Sequence, residues 1–468
     1  MAVRLIECLS TTGPLADLFS DESILHAMLQ FEMALARVEA KLGVIPHSAA
    51  TTIKAAAHSA RLNAAAIASE APLSGTFAIP FLHAFKESIR AQAPEAAGFV
   101  HWGATSQDLC DTALVLLLQK AEAILDADLS RLEKALRKSA QQHRHTVMLG
   151  RTWLQAGPPI TFGLKVAGWL GAVHRSRQRL AAAFDEALVL QFGGAVGTLA
   201  ALGKDGLKVA EALADELKLA CPEAPWHTHR DRLATLVCAC GVLTGTLGKI
   251  ARDVALLAQN EVGEVSEASA GGRGGSSTMP HKNNPVGSVL ALAAAQRVPG
   301  LVSNFLSSMV QEHERAAGGW QAEWAIIADV IQNTGFALAS MADVAEGLIV
   351  DADRMKANIA ANHGLVFAER ASMLLGKKID RDRAHQLLKE ASARALGSKR
   401  NLSEVLAEMP EVEAHLRDGD LRDLENPEHY LGSAEEFRRR LLAAAAQETP
   451  QIKSTRQRPA SKSTRRKK

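Results

Sequence analysis

Between Asp231 and Asn260 an apolar residue recurs at every third or fourth position without a break. Leu233, Leu236, Cys240, Leu243, Leu247, Ile250, Val254 and Leu257 alternate steps of three and four, the signature of one face of an α-helix. The stripe runs for about 25 residues, well beyond the usual helix length of roughly 11–12, so only a partner of similar length can cover it. Gly241, Gly245 and Gly248 lie along it and are small enough to let another helix approach closely.

The same period appears elsewhere. Ile24, Met28, Phe31, Leu35, Val38 and Leu42 form a stripe between a Ser20-Asp21-Glu22 start and a Gly43 stop. Leu118, Leu125, Leu129, Leu132 and Leu136 follow from about Asp111, and further helical patterns run over about 160–190, 286–311 and 320–350. Aromatic residues are only 4% of the chain, and its frequent alanine and leucine lose little on entering a helix. Strand signals are few. The expected fold is all-α, a bundle of long helices. Its seams are more extensive than one chain can cover, which predicts burial between subunits.

Four parts are expected: an N-terminal helical domain over 1–110, the long-helix bundle over 111–350, a C-terminal helical domain over 351–446, and a disordered basic tail over 447–468. Residues Lys453 to Lys468 carry eight Lys or Arg and no acid; removing those eight charges from the net +2 leaves the body at −6. Such a body gives no electrostatic case for nucleic acid. The N-terminus lacks the long apolar stretch of a secretory signal, and no uninterrupted run of about 18 apolar residues occurs. A cytoplasmic protein with no membrane span is expected. The five cysteines are scattered, and Cys238-Ala-Cys240 has no second pair to complete a zinc site; buried thiols are the simpler reading.

Four polar islands interrupt the apolar pattern: "HWGATSQD" at 101–108, "GRTWLQAGPPIT" at 150–161, "FGGAVGT" at 192–198 and "GGRGGSSTMPHKNNP" at 271–285. Each sits at a helix end, where unpaired backbone N–H groups are available to an anion. Thr105, Ser106, Thr152, Gln155, Ser276, Ser277, Lys282 and Asn284 add side-chain donors. Taken singly, each island reads as a cap, a tight turn or a linker. Taken together they are a donor set for carboxylates.

"GGSSTMPHKNNP" resembles the signature loop of the fumarase/aspartase superfamily, G-S-S-x-M-P-x-K-x-N, matching at Gly275, Ser276, Ser277, Met279, Pro280, Lys282 and Asn284. "HWGATSQD" and "GRTWLQ" resemble that family's first and second regions, in the same order. The resemblance covers about residues 10–446. It implies a homotetramer with a twenty-helix bundle and active sites assembled from three subunits. It also implies proton transfer next to a carboxylate, an aci-carboxylate intermediate and no metal or organic cofactor. By position, Ser276 is the implied proton-transfer residue. Lys282 and Asn284 stabilise the intermediate, and Thr105, Ser106, Arg151, Thr152, Gln155 and Ser277 hold substrate with His101. His143 and His145 are more simply surface residues, and His281 occupies a variable position. The glycines of the loop predict a mobile lid over about 270–283.

Two departures narrow the chemistry. Most members of the superfamily have Arg-Thr-His where this chain has Arg151, Thr152 and Trp153, and that histidine helps protonate the leaving group. An indole transfers no proton at neutral pH, so the leaving group must need no acid. A carboxylate is such a group, since its conjugate acid has a pKa of roughly 4. A lyase-type reaction that expels a carboxylate opens a lactone; run backwards, it closes one. The second departure is "EHERAAGGWQAEW", 312–324, where adenylosuccinate lyases carry a serine-rich phosphate-binding segment. Arg315 remains, suited to an extra substrate carboxylate. The partner is therefore expected to be a small polycarboxylate. The alternatives are an adenylosuccinate lyase-like C–N lyase on the same fold, and a non-catalytic scaffold.

Overall fold

The computed structural model of the protein describes residues 5–91, 93–269, 274–275, 278–279 and 281–446. Five long helices form its centre: α1 (Ser106–Gln142), α2 (Phe162–Ala187), α3 (Asp231–Leu257), α4 (Val286–Ser308) and α5 (Gly319–Glu346). At about 1.5 Å per residue, the 37 residues of α1 reach some 55 Å. The helices alternate in direction. Arg230, just before α3, bonds Asp111 near the start of α1, and Thr112 bonds the Gln191 carbonyl just beyond the end of α2. Trp320 at the start of α5 donates to Asp111, and Arg131 meets Glu346 at the other end. α1, α3 and α5 therefore run one way, α2 and α4 the other.

The glycines of α3 have distinct uses. A Cβ at Gly248 would lie 2.5 Å from the Ala295 side chain of α4, and one at Gly241 would lie 3.0 Å from Val302. These two positions let α3 and α4 of the same chain come together. Gly245 faces open space on the groove between α2 and α3.

Buried apolar side chains fall into two cores. The larger joins the N-terminal helices, including Asp21–Lys41, to the bundle. The smaller belongs to the helices after residue 351 and takes in Val147 and Leu149 from the stretch that follows α1. The last helix, Ala434–Ala444, returns to the bundle, where Arg137 donates to the Leu442 and Ala445 carbonyls at 3.1 and 2.6 Å.

Two findings differ from the sequence-based expectation. The island after α1 is a hairpin, β1 (Val147–Thr152) paired antiparallel to β2 (Gln155–Thr161), with a bulge at Gly150. There a Cβ would come within 2.6 Å of the Pro158 carbonyl oxygen. Its two-residue turn, Trp153-Leu154, has φ of 53° and 65°. A turn of that sort ordinarily selects Asn-Gly, and bulky residues there carry no turn signal. The second concerns membranes. Among the described residues α3, α4 and α5 are each long and apolar enough, by length and composition, to cross a bilayer. Their Leu, Val, Ile and Ala residues raise the mean hydropathy, while scattered polar residues interrupt the apolar run. α3 and α5 bury most of this surface within the protein, whereas only seven of the 23 residues of α4 are buried.

Candidate active site

The first island folds into the loop that leads into α1. Asp108 fixes its shape: the buried carboxylate accepts the Thr105 N–H at 3.0 Å, the Gly193 and Gly194 N–H groups at 3.0 and 2.8 Å, and pairs with His227 Nε2 at 2.8 Å. One carboxylate thus joins the first island to the third. The neighbouring Asp111 is bridged by buried Arg230 to Glu323 of α5, so the starts of α1, α3 and α5 are held as one unit.

On this base three residues expected to bind substrate come together. Arg315 donates from Nη1 to Thr105 Oγ1 at 2.6 Å and from Nη2 to Ser106 Oγ at 2.9 Å. The Thr105 hydroxyl is therefore engaged by the arginine. Arg315 is half-buried on the irregular stretch between α4 and α5. His101 stands just upstream, its Nδ1 2.7 Å from Glu32 Oε1.

The other expected residues lie at the far end of the bundle. Arg151 forms a fork with buried Glu264, at 2.9 and 2.7 Å. Asn358 donates to the same carboxylate at 2.8 Å. The guanidinium edge assigned to substrate is thus committed to Glu264. Thr152 and Gln155 face each other across the exposed turn of the hairpin. Asn284 donates both its backbone N–H and its side-chain amide to the Gly274 carbonyl, at 2.8 and 3.1 Å. Gly274 has a φ of 83° and a Cβ there would lie 2.7 Å from the Asn284 carbonyl oxygen, so this fold of the chain requires glycine there. Lys282 is exposed. Ser276 and Ser277 lie outside the described residues, as does much of the stretch expected to move as a lid. His143 is half-buried, edge-on to Phe162, and burial holds its pKa below the usual histidine value; it is not the surface residue expected.

Glu267 also organises this end. Its carboxylate accepts the Gly287 N–H at 2.9 Å and the Ser288 N–H and hydroxyl at 2.9 and 2.7 Å, capping α4. Its carbonyl accepts the Asn283 side chain at 2.8 Å. The two ends of the signature loop are thereby tied together. Sequence reasoning missed Glu32, Glu264 and Glu267. The available signal was local: "EVGEVSE" places three acids at steps of three just before the loop, and Glu32 sits beside an apolar stripe where a solvated acid is out of place.

The two groups of site residues stand at opposite ends of α1, a helix about 55 Å long by its rise per residue. One protomer cannot bring Thr105, Ser106 and Arg315 to Thr152 and Gln155.

The chain matches the lyase family over residues 7–300 and the adenylosuccinate lyase C-terminus family over 364–441. It is 47% identical over 442 residues to a 3-carboxy-cis,cis-muconate cycloisomerase of Pseudomonas aeruginosa, covering 94% of this chain and 96% of that one. It is 49% identical over 422 residues to a protein of the same name from Bradyrhizobium diazoefficiens, covering 90% and 94%. The crystal structure of the 3-carboxy-cis,cis-muconate lactonizing enzyme of Pseudomonas putida superposes with a TM-score of 0.89 at 45% identity, covering 95% and 99% of the two chains. The chain therefore belongs to the lyase family, with the all-α fold of the fumarase/aspartase superfamily.

Proposed function

We propose that the protein is a 3-carboxy-cis,cis-muconate cycloisomerase, closing its substrate to 4-carboxymuconolactone in protocatechuate breakdown by the β-ketoadipate pathway. The observation that carries the reading is Trp153 at the hairpin tip, where an acid-requiring lyase of this fold needs a histidine. The likeness to relatives of that name over nearly the whole chain supports it.

In the reaction a substrate carboxylate oxygen forms a C–O bond to one carbon of a double bond. The π pair moves to the adjacent carbon, next to a carboxylate, and gives the aci-carboxylate. The Ser276 hydroxyl delivers a proton to that carbon and recovers one from water. Lys282 and the backbone N–H groups of its loop supply the positive field that an ordinary serine lacks. Arg315, Thr105, Ser106 and His101 hold carboxylates from one protomer, and Thr152, Gln155 and the signature loop come from its neighbours. Arg151 serves by holding Glu264 at the base of the hairpin.

Such a site requires a tetramer. The sparsely covered α4 supports one, as does an apolar groove of about 760 Å³ lined by Leu164, Trp169, Gly245 and Ile250. The enzyme is a soluble cytoplasmic one in this reading. The test is the ultraviolet spectrum of 3-carboxy-cis,cis-muconate with wild type and with Ser276→Ala. Loss of diene absorbance with wild type alone is expected. No loss with either protein overturns the assignment.

A further inference from the structure

The chain turns into the site at His101 with a φ of 64°, a left-handed conformation that is unfavourable for a residue with a Cβ. One side chain holds it there. Glu32, on the helix Asp21–Lys41, is buried and commits both carboxylate oxygens to this single residue. Oε2 accepts the His101 backbone N–H at 3.0 Å, and Oε1 lies 2.7 Å from the ring Nδ1. Among the described residues no lysine or arginine pairs with Glu32. Burying a carboxylate without a cationic partner is costly, and here one oxygen goes to the backbone and the other to the ring of a single residue.

A carboxylate oxygen 2.7 Å from Nδ1 accepts the ring's hydrogen bond, which assigns the hydrogen to Nδ1. Nε2 is then the nitrogen left for a ligand, and among the described residues it has no protein partner. The His101 side chain is only 11% exposed, so the ring cannot turn over freely to exchange its nitrogens. Four residues later the chain reaches Thr105 and the Arg315 cluster.

We infer that Glu32 is a positioning residue for the reaction: it clamps His101 by backbone and ring together and so determines that Nε2, not Nδ1, meets the substrate. The inference rests on the reading of His101 as a substrate-facing residue in the proposed function. In Glu32→Gln the side-chain oxygen accepts one N–H, while the amide can donate to Nδ1 and force the opposite tautomer.

The experiment is a double-mutant cycle on the intact enzyme, with Glu32→Gln, His101→Asn and the double variant, reading kcat and KM for 3-carboxy-cis,cis-muconate. Each single change is expected to lower kcat/KM about 10-fold, within the range for contacting, coupled residues. The double variant should match His101→Asn to within about twofold, since Glu32 acts only through the ring. Wild-type kinetics in Glu32→Gln, or losses that multiply in the double variant, overturn the inference. Diethyl pyrocarbonate labelling, with peptide mapping of His101, gives a readout that needs no turnover. Labelling at the free ring nitrogen should slow several-fold in Glu32→Gln, and equal rates overturn the inference even where the proposed substrate proves inert. Glu32→Asp keeps the charge but lacks the reach; it should reproduce both effects if Glu32→Gln does not fold.

Discussion

Arg151 and Glu264 meet through two parallel hydrogen bonds, 113 residues apart in sequence, with the carboxylate wholly buried and the guanidinium half-exposed. Removing the arginine leaves a buried charge to which, among the described residues, only Asn358 still donates a hydrogen bond. Arg151→Met is expected to destabilise the protein by about 3 kcal/mol, typical for breaking one side of a buried pair. Urea unfolding measures this directly. Unchanged stability together with a large rise in KM would return Arg151 to the substrate.

Arg315 makes the opposite forecast. Its partners are the hydroxyls of Thr105 and Ser106, not a buried carboxylate, so its loss strands no charge. Arg315→Met should raise KM for the tricarboxylate by about 10-fold or more, since one charge-assisted contact of 1.5–3 kcal/mol is lost. The thermal midpoint should move by only a degree or two, roughly the surface-substitution range. Steady-state kinetics beside a melting curve separates the two effects.

Glu39 lies seven residues beyond Glu32 on the same helix. It is fully buried, and neither carboxylate oxygen has a hydrogen-bond partner among the described residues. Burial first, and the charge of Glu32 second, push its pKa up to about 9 from an ordinary 4.5. Between those values the native protein keeps a proton that the unfolded chain has released. The native state binds more protons there, so stability falls as pH rises, by up to about 1.4 kcal/mol per pH unit from this group. Above about 9 both states are ionised and the contribution to the slope ends. Urea titrations from pH 5 to pH 9 should show a flatter profile for Glu39→Leu than for wild type. Parallel profiles would contradict the assignment.

Glu267 caps α4 and ties the two ends of the signature loop. Glu267→Ala should cost about 1–2 kcal/mol, the range for a lost helix cap. It should also lower kcat by loosening the residues that carry Lys282. Hydrogen exchange of the Gly287 and Ser288 amides reports the cap, and exchange as slow as in wild type would refute this role.

Trp153 and Leu154 make a hairpin turn that Asn-Gly would form with less strain. Trp153 is 97% exposed in the protomer. Exposed bulky side chains on a strained turn point to contacts made outside the protomer. The pair of changes Trp153→Asn and Leu154→Gly is expected to leave the protomer folded, weaken the proposed tetramer and lower activity. Sedimentation velocity checks the assembly, and an intact, fully active tetramer would count against a hairpin that completes a neighbouring site.

The legible part of the site was the part carried by residue type and helix ends. Thr105, Ser106, Lys282 and Asn284 stand out as donors beside helix starts, and Arg315 as a lone cation in a glycine-rich stretch. The acids that support them did not stand out. Glu264 and Glu267 look like ordinary surface carboxylates until burial removes water from them, and Glu32 is marked only by its place beside an apolar stripe. The hairpin was hidden because Trp153 and Leu154 adopt a backbone that their side chains disfavour.

Local periodicity was enough to determine the long helices, because a 3.6-residue repeat depends only on neighbours within a turn or two. The stripe from Leu233 to Leu257 needs no knowledge of the remaining chain. Only the tertiary structure decided which helix ends meet. Arg315 reaches Thr105 across 210 residues, and His101 reaches Glu32 across 69. Those pairings follow from alternating helix direction and from the desolvation of a few carboxylates. Neither leaves a repeat in the sequence, because each depends on what packs beside a residue in space.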